Sequence, residues 1–425
     1  MAEIKAFRGT LYNLKKVGTI SSVVAPPYDV ISTKMQRDLY RSHPNNVVRL
    51  ILGKKRKADS AKNSPYTRAR AFMNDWINKG ILVRDDKESI YVYGQDYTAN
   101  GARRSRIGFI ALMKLEDFSG KKVLPHEQVF SGPKKDRFRL TKTVKANLSP
   151  IFSLYQDDGR VIHRTLIRHI TRNAPYADAT IGGIRHRLWN IRDTALIASI
   201  RRSMRTKKVF IADGHHRYSV ALAYRDSIAS SGGGAGTEYV MMYFSGMDAK
   251  ELTILPTHRM ARNMGGLGPR RAEILLARHF SVKKFKNRNA LFATLEKLKK
   301  GAHHAFGLYM DKEYSLLILK SERSLASMRV RGASRQWKQL DVSILHHLIL
   351  RQTLKVDDTE ENIRYTRDAL EAVNAVDRRL CRAAFFLNPT KISRVKAIAQ
   401  SGELMPHKST YFYPKLLTGL VMRTL

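Results

Sequence analysis

Between Pro65 and Gly80 the apolar residues Ala69, Phe72, Met73, Trp76 and Ile77 recur at steps of three and four. That period marks one face of a helix. Ser64 before Pro65 is a start signal and Gly80 a stop signal. Shorter apolar runs rich in β-branched and aromatic residues predict strands at 90–93, 107–115, 151–155 and 239–244. The basic stretch 135–146 reads as a helix. A strand over 207–212 is followed by a helix body at 219–225, where Val220, Ala221, Ala223 and Tyr224 offer packing surface. In the last third, helices are expected over 274–280 and 290–298. Paired strands at 305–310 and 314–319 flank a turn at Asp311-Lys312. Asp341 is placed to cap a helix whose stripe is Val342, Leu345, Leu348 and Ile349. A buried strand is expected at 383–387. The Gly- and Ser-rich segment 230–236 reads as a surface loop. This alternation predicts an α/β fold with mixed sheets and not a doubly wound nucleotide fold. The expected regions are 1–105, an N-terminal α/β region; 106–250, a central core; and 251–425, a C-terminal α/β domain.

A chain of 425 residues, 43% of them hydrophobic, is long enough for two or three domains with buried cores. Its one cysteine, Cys381, excludes an intramolecular disulfide and points to a reducing, cytoplasmic setting. Cys381 stands just before the run Ala-Ala-Phe-Phe-Leu and reads as a buried, inert thiol. No apolar run has signal-peptide character at the start, and none approaches the ~20 residues of a membrane span, so no membrane partner is expected. The net charge of +41 is extreme. It suits nucleic acid or an anionic small substrate. The cations are nevertheless spread over 54–57, 201–208 and 283–300, as on a solvated surface, and no nucleic-acid recognition module is present. Nucleic acid is therefore not the favoured partner.

The chemistry concentrates at residues 213–217, Asp213-Gly214-His215-His216-Arg217, between the predicted strand and the predicted helix. A helix start offers backbone N–H groups and a positive dipole end to an anion. Gly214 permits close approach of backbone to ligand. Arg217 can make a bidentate phosphate contact. Asp213 can hold a metal that binds phosphate. Against this, His303-His304 and His346-His347 are also doublets, the latter expected on an ordinary helix, and Asp-Gly is a common turn. A Gly-x-x-x-x-Gly-Lys-Ser/Thr loop and a Gly-x-Gly-x-x-Gly fingerprint are both missing. His126, Glu127, His215 and His216 lack a diagnostic metal spacing. Tyr28 and Asp29 follow a rigid Pro26-Pro27 mount and are candidate substrate contacts or a turn beside the core. Lys408, Ser409, Thr410 and Lys415 are a candidate second anion contact. Tyr411, Phe412, Tyr413, Leu416, Leu417 and Leu420 around them read as packing that anchors the tail.

Five motifs stand in order: 24–31 with Pro26-Pro27-Tyr28-Asp29, Leu124-Pro125-His126-Glu127, 212–218, Leu255-Pro256-Thr257-His258-Arg259, and 405–421. Together they resemble the bacterial and archaeal family named domain of unknown function 1015, over essentially the whole chain. His407 departs from an expected glutamine. More distantly, the 213–217 turn is similar to that of free serine kinases of the ParB/sulfiredoxin-like superfamily. That resemblance implies a ParB-like central core flanked by additional α/β regions. It also implies a phosphotransferase acting on free serine or O-phosphoserine, with ADP or ATP as co-substrate and Mg2+ as cofactor. Asp213, Gly214, His215, His216 and Arg217 would hold nucleotide phosphates, with Asp213 seating the metal. Glu127 would be the base, with His126 and His216 beside it in catalysis. The same residues suit a phosphoserine phosphatase. A nucleotide-regulated, ParB-like nucleic-acid-binding protein is the alternative outside enzymology.

Overall fold

The computed structural model describes residues 2–99, 101–129, 131–230, 234, 236–247, 252–301, 303–359 and 361–425. Of the loop expected at 230–236, residues 231–233 and 235 lie outside the described residues. The chain forms two compact units. The first comprises Met1–Pro125, Val129–Thr253 and Pro414–Leu425; the second comprises His126–Gln128 and Ile254–Tyr413. The sequence regions 1–105 and 106–250 thus contribute mainly to one unit.

The first unit is built on a nine-stranded mixed sheet. Its order is Val123–Leu124, Val209–Asp213, Ile151–Tyr155, Tyr239–Gly246, Ala102–Lys114, Ile90–Ala99, Ile184–Ile191 and Ala177–Ile181, with Ile4–Lys5 also paired to Ala102–Lys114. Val209–Asp213 runs parallel to Val123–Leu124 and antiparallel to Ile151–Tyr155. Ile90, Val92, Phe109, Ala111, Met113, Ile151, Val209, Ile211, Val240 and Met242 share one buried face. Ile162 and Leu166 of helix Val161–Arg172, and Ile197, Ile200 and Met204 of helix Thr194–Met204, pack with them. Tyr91, Tyr93, Ile110, Leu112, Phe152, Leu154, Phe210 and Tyr243 alternate with these and are buried too. Burial on both faces explains why these strands read as continuous apolar runs and not as alternation. Helix Pro65–Asn78 starts in a reciprocal Ser64–Thr67 capping box and buries Ala69, Met73 and Trp76. Ile77, expected on the same face, is 40% exposed, one residue round the helix from Trp76.

The second unit carries a six-stranded antiparallel sheet, ordered Phe280–Phe285, Glu313–Leu319, Ala305–Met310, Ala383–Leu387, His258–Ala261 and Ile363–Thr366. Asp311 and Lys312 both take positive φ, 46° and 66°, in the two-residue turn that joins Met310 to Glu313. That is the conformation whose twist matches flanking strands. Three expectations are corrected here. The helix expected over 274–280 is Pro269–Leu276, and Phe280 opens a strand, its ring buried beside Phe306. Asp341 is the first helical residue and not the cap: Leu340 holds the cap position, and the Asp341 carboxylate turns to His304. The following segment, Ile344–Thr353, with His346 and His347 in it, is a π-helix and not an ordinary one. Its wider turn accompanies burial of Ile344, Leu345, Leu348, Ile349 and Leu350, more of the circumference than the predicted stripe. Cys381 is buried, and burial pushes its thiol pKa up, as befits an inert core residue. Among the described residues no helix is long and apolar enough to cross a membrane.

Candidate functional site

Strand Val209–Asp213 is buried from Val209 to Ala212 and emerges at Asp213. Its register with Ile151–Tyr155 shifts between Ile211 and Asp213, which sets Asp213 opposite Phe152. The irregularity turns the chain just before Gly214, whose φ of 95° and ψ of 30° lie in the left-handed region. A Cβ at this position would stand 2.8–2.9 Å from the Arg217 guanidinium. Helix His215–Ala229 begins at once, its first internal bond running from Tyr218 N–H to the Gly214 carbonyl at 3.0 Å. The fully buried Tyr218 fixes this helix start. Its hydroxyl donates to Glu116 O at 2.8 Å and accepts from Glu116 N–H at 3.0 Å, and its ring stacks on Phe118.

Asp213 lies between two cations. Lys415 Nζ donates to Oδ1, and an Arg217 terminal nitrogen donates to Oδ2 at 2.8 Å. Burial by itself would raise the Asp213 pKa; Lys415 and Arg217 outweigh it and hold the carboxyl well below the usual range. The other terminal nitrogen of Arg217 donates to Ser149 Oγ at 2.9 Å and Pro150 O at 2.6 Å. Lys415 is itself held by its backbone: Gln95 Nε2 donates to its carbonyl at 3.0 Å, and the buried Arg106 donates to Gln95 Oε1 and Pro414 O. Among the described residues, Lys415 and Arg217 both meet this one carboxylate at the helix start.

A pocket open to solvent, with about 630 Å3 of empty space in and above it, adjoins the turn within the first unit. Leu140, Ile151 and Val220 supply apolar wall, and Tyr28, Ser149 and Arg217 supply polar groups. The Tyr28 ring faces the Arg137 guanidinium at 4.2 Å. Burial raises the Tyr28 hydroxyl pKa, Asp29 adds to that, and Arg137 and Arg217 oppose it. Tyr28 therefore joins the 213–217 turn, while Asp29 is exposed.

His126, Glu127, Lys408 and Ser409 come together in the second unit. Lys408 N–H donates to Glu127 Oε1 at 2.6 Å, and Met405 N–H donates to the His126 carbonyl at 2.8 Å. His126 is buried, with Nε2 2.9 Å from Thr410 Oγ1. Ser409 Oγ donates to the Pro406 carbonyl within its own loop. Beneath lies Arg259, fully buried, which donates to the carbonyls of Thr257, His407 and Lys408 and to His346 Nε2 at 3.0 Å. His346 Nδ1 in turn bonds Asp358. Burial brings the Arg259 pKa down to about 10. Because Arg259 takes the carbonyl of His407, the unexpected side chain there does not alter this contact. The Arg259–His346–Asp358 chain went unread in the sequence. Its one signal was the placement of Arg259 at the end of an ordered motif.

The sequence profile described as protein of unknown function, DUF1015, matches residues 4–343. The chain belongs to this family. Among solved structures it is similar to a conserved hypothetical protein from Pyrococcus furiosus, at 13% identity and a TM-score of 0.34, covering 72% of this chain and 92% of that one. A free serine kinase in complex with AMP shares 13% identity at a TM-score of 0.35, covering 71% and 86%. SbnI from Staphylococcus aureus, truncated at its C-terminus, shares 11% at a TM-score of 0.34, covering 73% and 85%. Comparison with curated proteins gives no match.

In this DUF1015 chain the surroundings of Asp213 do not fit the expected Mg2+. Both carboxylate oxygens already carry a cationic donor. Among the described residues no group of three or more His, Cys, Asp or Glu side chains is placed to hold a metal ion.

Proposed function

We propose that this DUF1015 protein is a phosphotransferase that moves a phosphoryl group between a nucleotide, ADP or ATP, and free serine or O-phosphoserine. The observation that carries this reading is the helix start at Gly214, where Lys415 and Arg217 bracket Asp213. Nucleotide phosphates would lie against the backbone N–H groups of the first helical turn. His216 would donate to the transferring group as its charge spreads. Arg217 would act as a fixed charge and not as a bidentate fork, since both terminal nitrogens are committed to Asp213, Ser149 and Pro150. Asp213 orders the two cations, and no step runs through a metal on it. Glu127 is the proposed base: it would accept the serine hydroxyl proton as that oxygen bonds to phosphorus and the phosphorus–oxygen bond to the nucleotide breaks.

Phosphorus NMR tests this. Purified protein is given serine with ADP or ATP, O-phosphoserine with AMP, and O-phosphoserine alone; AMP and ADP are the nucleotides bound in similar free serine kinases. A phosphoserine signal that needs both serine and nucleotide, and that His216→Ala abolishes, is the expected result. Inorganic phosphate from O-phosphoserine alone would replace the kinase with a phosphatase. No turnover in any tube would overturn serine as substrate.

A further inference from the structure

The second unit holds a cavity that the proposed reaction does not use. It is open to solvent, with about 560 Å3 of empty space in and above it, and its lining includes Lys299, His304, Asp341, Asn388, Lys391 and Arg394. Residues from several elements of the second unit converge on it. Lys299 comes from helix Arg288–Lys300, His304 precedes strand Ala305–Met310, and Asp341 opens the short helix Asp341–Ser343. Asn388 and Lys391 follow strand Ala383–Leu387, and Arg394 lies in helix Ile392–Ser401.

Two observations give the cavity chemical character. The first is an oriented histidine. His304 Nδ1 is 2.7 Å from Asp341 Oδ1, with the two side chains 14% and 27% exposed. A carboxylate only accepts, so Nδ1 carries the proton and Nε2 presents the working edge of the ring. Nε2 makes no hydrogen bond among the described residues. The second is charge. Three cations line the space against one carboxylate, and that carboxylate is turned to His304. Lys391 and Arg394 form no ion pair among the described residues; Arg394 makes only a 3.4 Å contact with Gln339. Lys299 has a partner in Glu296, an exposed neighbour on its own helix at 3.2 Å. Glu322, an acid that feels the His304 charge, is engaged by Arg335 at 2.8 Å and Gln339 at 3.0 Å.

We propose that this cavity is a second binding site, distinct from the 213–217 turn, for a small molecule bearing a phosphate monoester. A monoester dianion presents three strong acceptor oxygens. Arg394 can meet two of them with its planar fork, Lys391 and Lys299 supply point charges for the third, and His304 Nε2, with the proton on Nδ1, accepts from a hydroxyl of the ligand's alcohol part. The remaining polar wall, Asn388 among it, is left for the alcohol part of the ligand.

The test uses the full chain with 13C-labelled histidine, the His304 signal being identified by its loss in His304→Gln. Glycerol phosphate and, separately, inorganic phosphate are titrated at constant ionic strength. The expected result is a saturable shift of the His304 Cε1–H signal with glycerol phosphate, unchanged in His216→Ala. Its apparent Kd should rise at least ~10-fold in Lys391→Gln/Arg394→Gln, the equivalent of one lost charge-assisted hydrogen bond. Lys391 is exposed and Arg394 half-exposed, so the double variant keeps the core intact. A shift that never saturates, or one that the double variant leaves unchanged, overturns the site. Saturation by inorganic phosphate alone overturns the monoester.

Discussion

Replacing Lys415 with methionine tests whether the Lys415–Asp213–Arg217 cluster holds the turn. Methionine keeps an apolar stem of similar length and removes the charge. Asp213 and Lys415 are 17% and 11% exposed, so little water is available to replace the lost ammonium. Breaking a fully buried pair costs ~3–5 kcal/mol and losing one charge-assisted hydrogen bond ~1.5–3 kcal/mol. Arg217 remains on Oδ2, which places the expected loss near the lower range, ~2 kcal/mol. The assay is urea unfolding followed by tryptophan fluorescence in a Trp337→Phe background. The remaining tryptophans, Trp76 and Trp189, then both report on the first unit. The pH dependence has a definite sign. The Asp213 pKa is depressed in the folded state, so its contribution is complete above its unfolded pKa of ~3.9 and is lost as pH falls through the folded value. The difference between wild type and Lys415→Met should hold from pH 7 to 5 and shrink below 4. In a cycle with Asp213→Asn the double variant should be less destabilised than the sum of the singles. A difference below ~0.5 kcal/mol at pH 7, the range of an ordinary surface substitution, would refute the reasoning. So would one that is the same at pH 7 and pH 3, or strict additivity.

Gly214→Ala places a Cβ against the Arg217 guanidinium at a φ of 95° and should cost ~1–3 kcal/mol in the same unfolding assay, with loss of phosphoserine formation. Tyr218→Phe withdraws the one hydroxyl that serves both Glu116 N–H and C=O; a loss of ~1–3 kcal/mol is expected, and a change under ~0.5 kcal/mol would show that water replaces it. The Tyr218 hydroxyl, raised to about 12 mainly by burial, should be missing from the ultraviolet titration of wild type below pH 11, so that Tyr218→Phe leaves that part of the curve unchanged. Glu127→Gln keeps an acceptor for Lys408 N–H and removes the base; turnover should fall ~100-fold or more, and unchanged turnover would remove Glu127 from the reaction.

Much of this protein is legible because its strands and turns follow from neighbours in sequence. The run 151–155 had to be a strand: it is short, β-branched and aromatic, and both its faces are buried. The strand–glycine–helix order at 209–218 was legible as a turn, and the structure adds that Gly214 is left-handed in it. Asp311 and Lys312 were legible as the turn of a hairpin. The failures share a cause. Phe280 extended a helical pattern, yet strand Glu313–Leu319 was available to pair with it and Phe306 to pack against it. Asp341 looked like a cap, yet His304, 37 residues earlier in the chain, took its carboxylate.

The sequence by itself determined the α/β character, the main strands, the start of helix Pro65–Asn78 and the place of the 213–217 turn. Backbone sterics, side-chain period and capping act over a few residues, so the sequence displays them directly. Only the tertiary structure decided which charges meet. Lys415 reaches Asp213 across 202 positions, and Arg259 reaches the 407–408 backbone across nearly 150. A carboxylate written beside a glycine and two histidines reads as a metal ligand until the returning tail sets an ammonium on one oxygen and Arg217 sets a guanidinium on the other. Coulomb forces depend on distance through space and on the water excluded, and a folded chain sets both only when it closes.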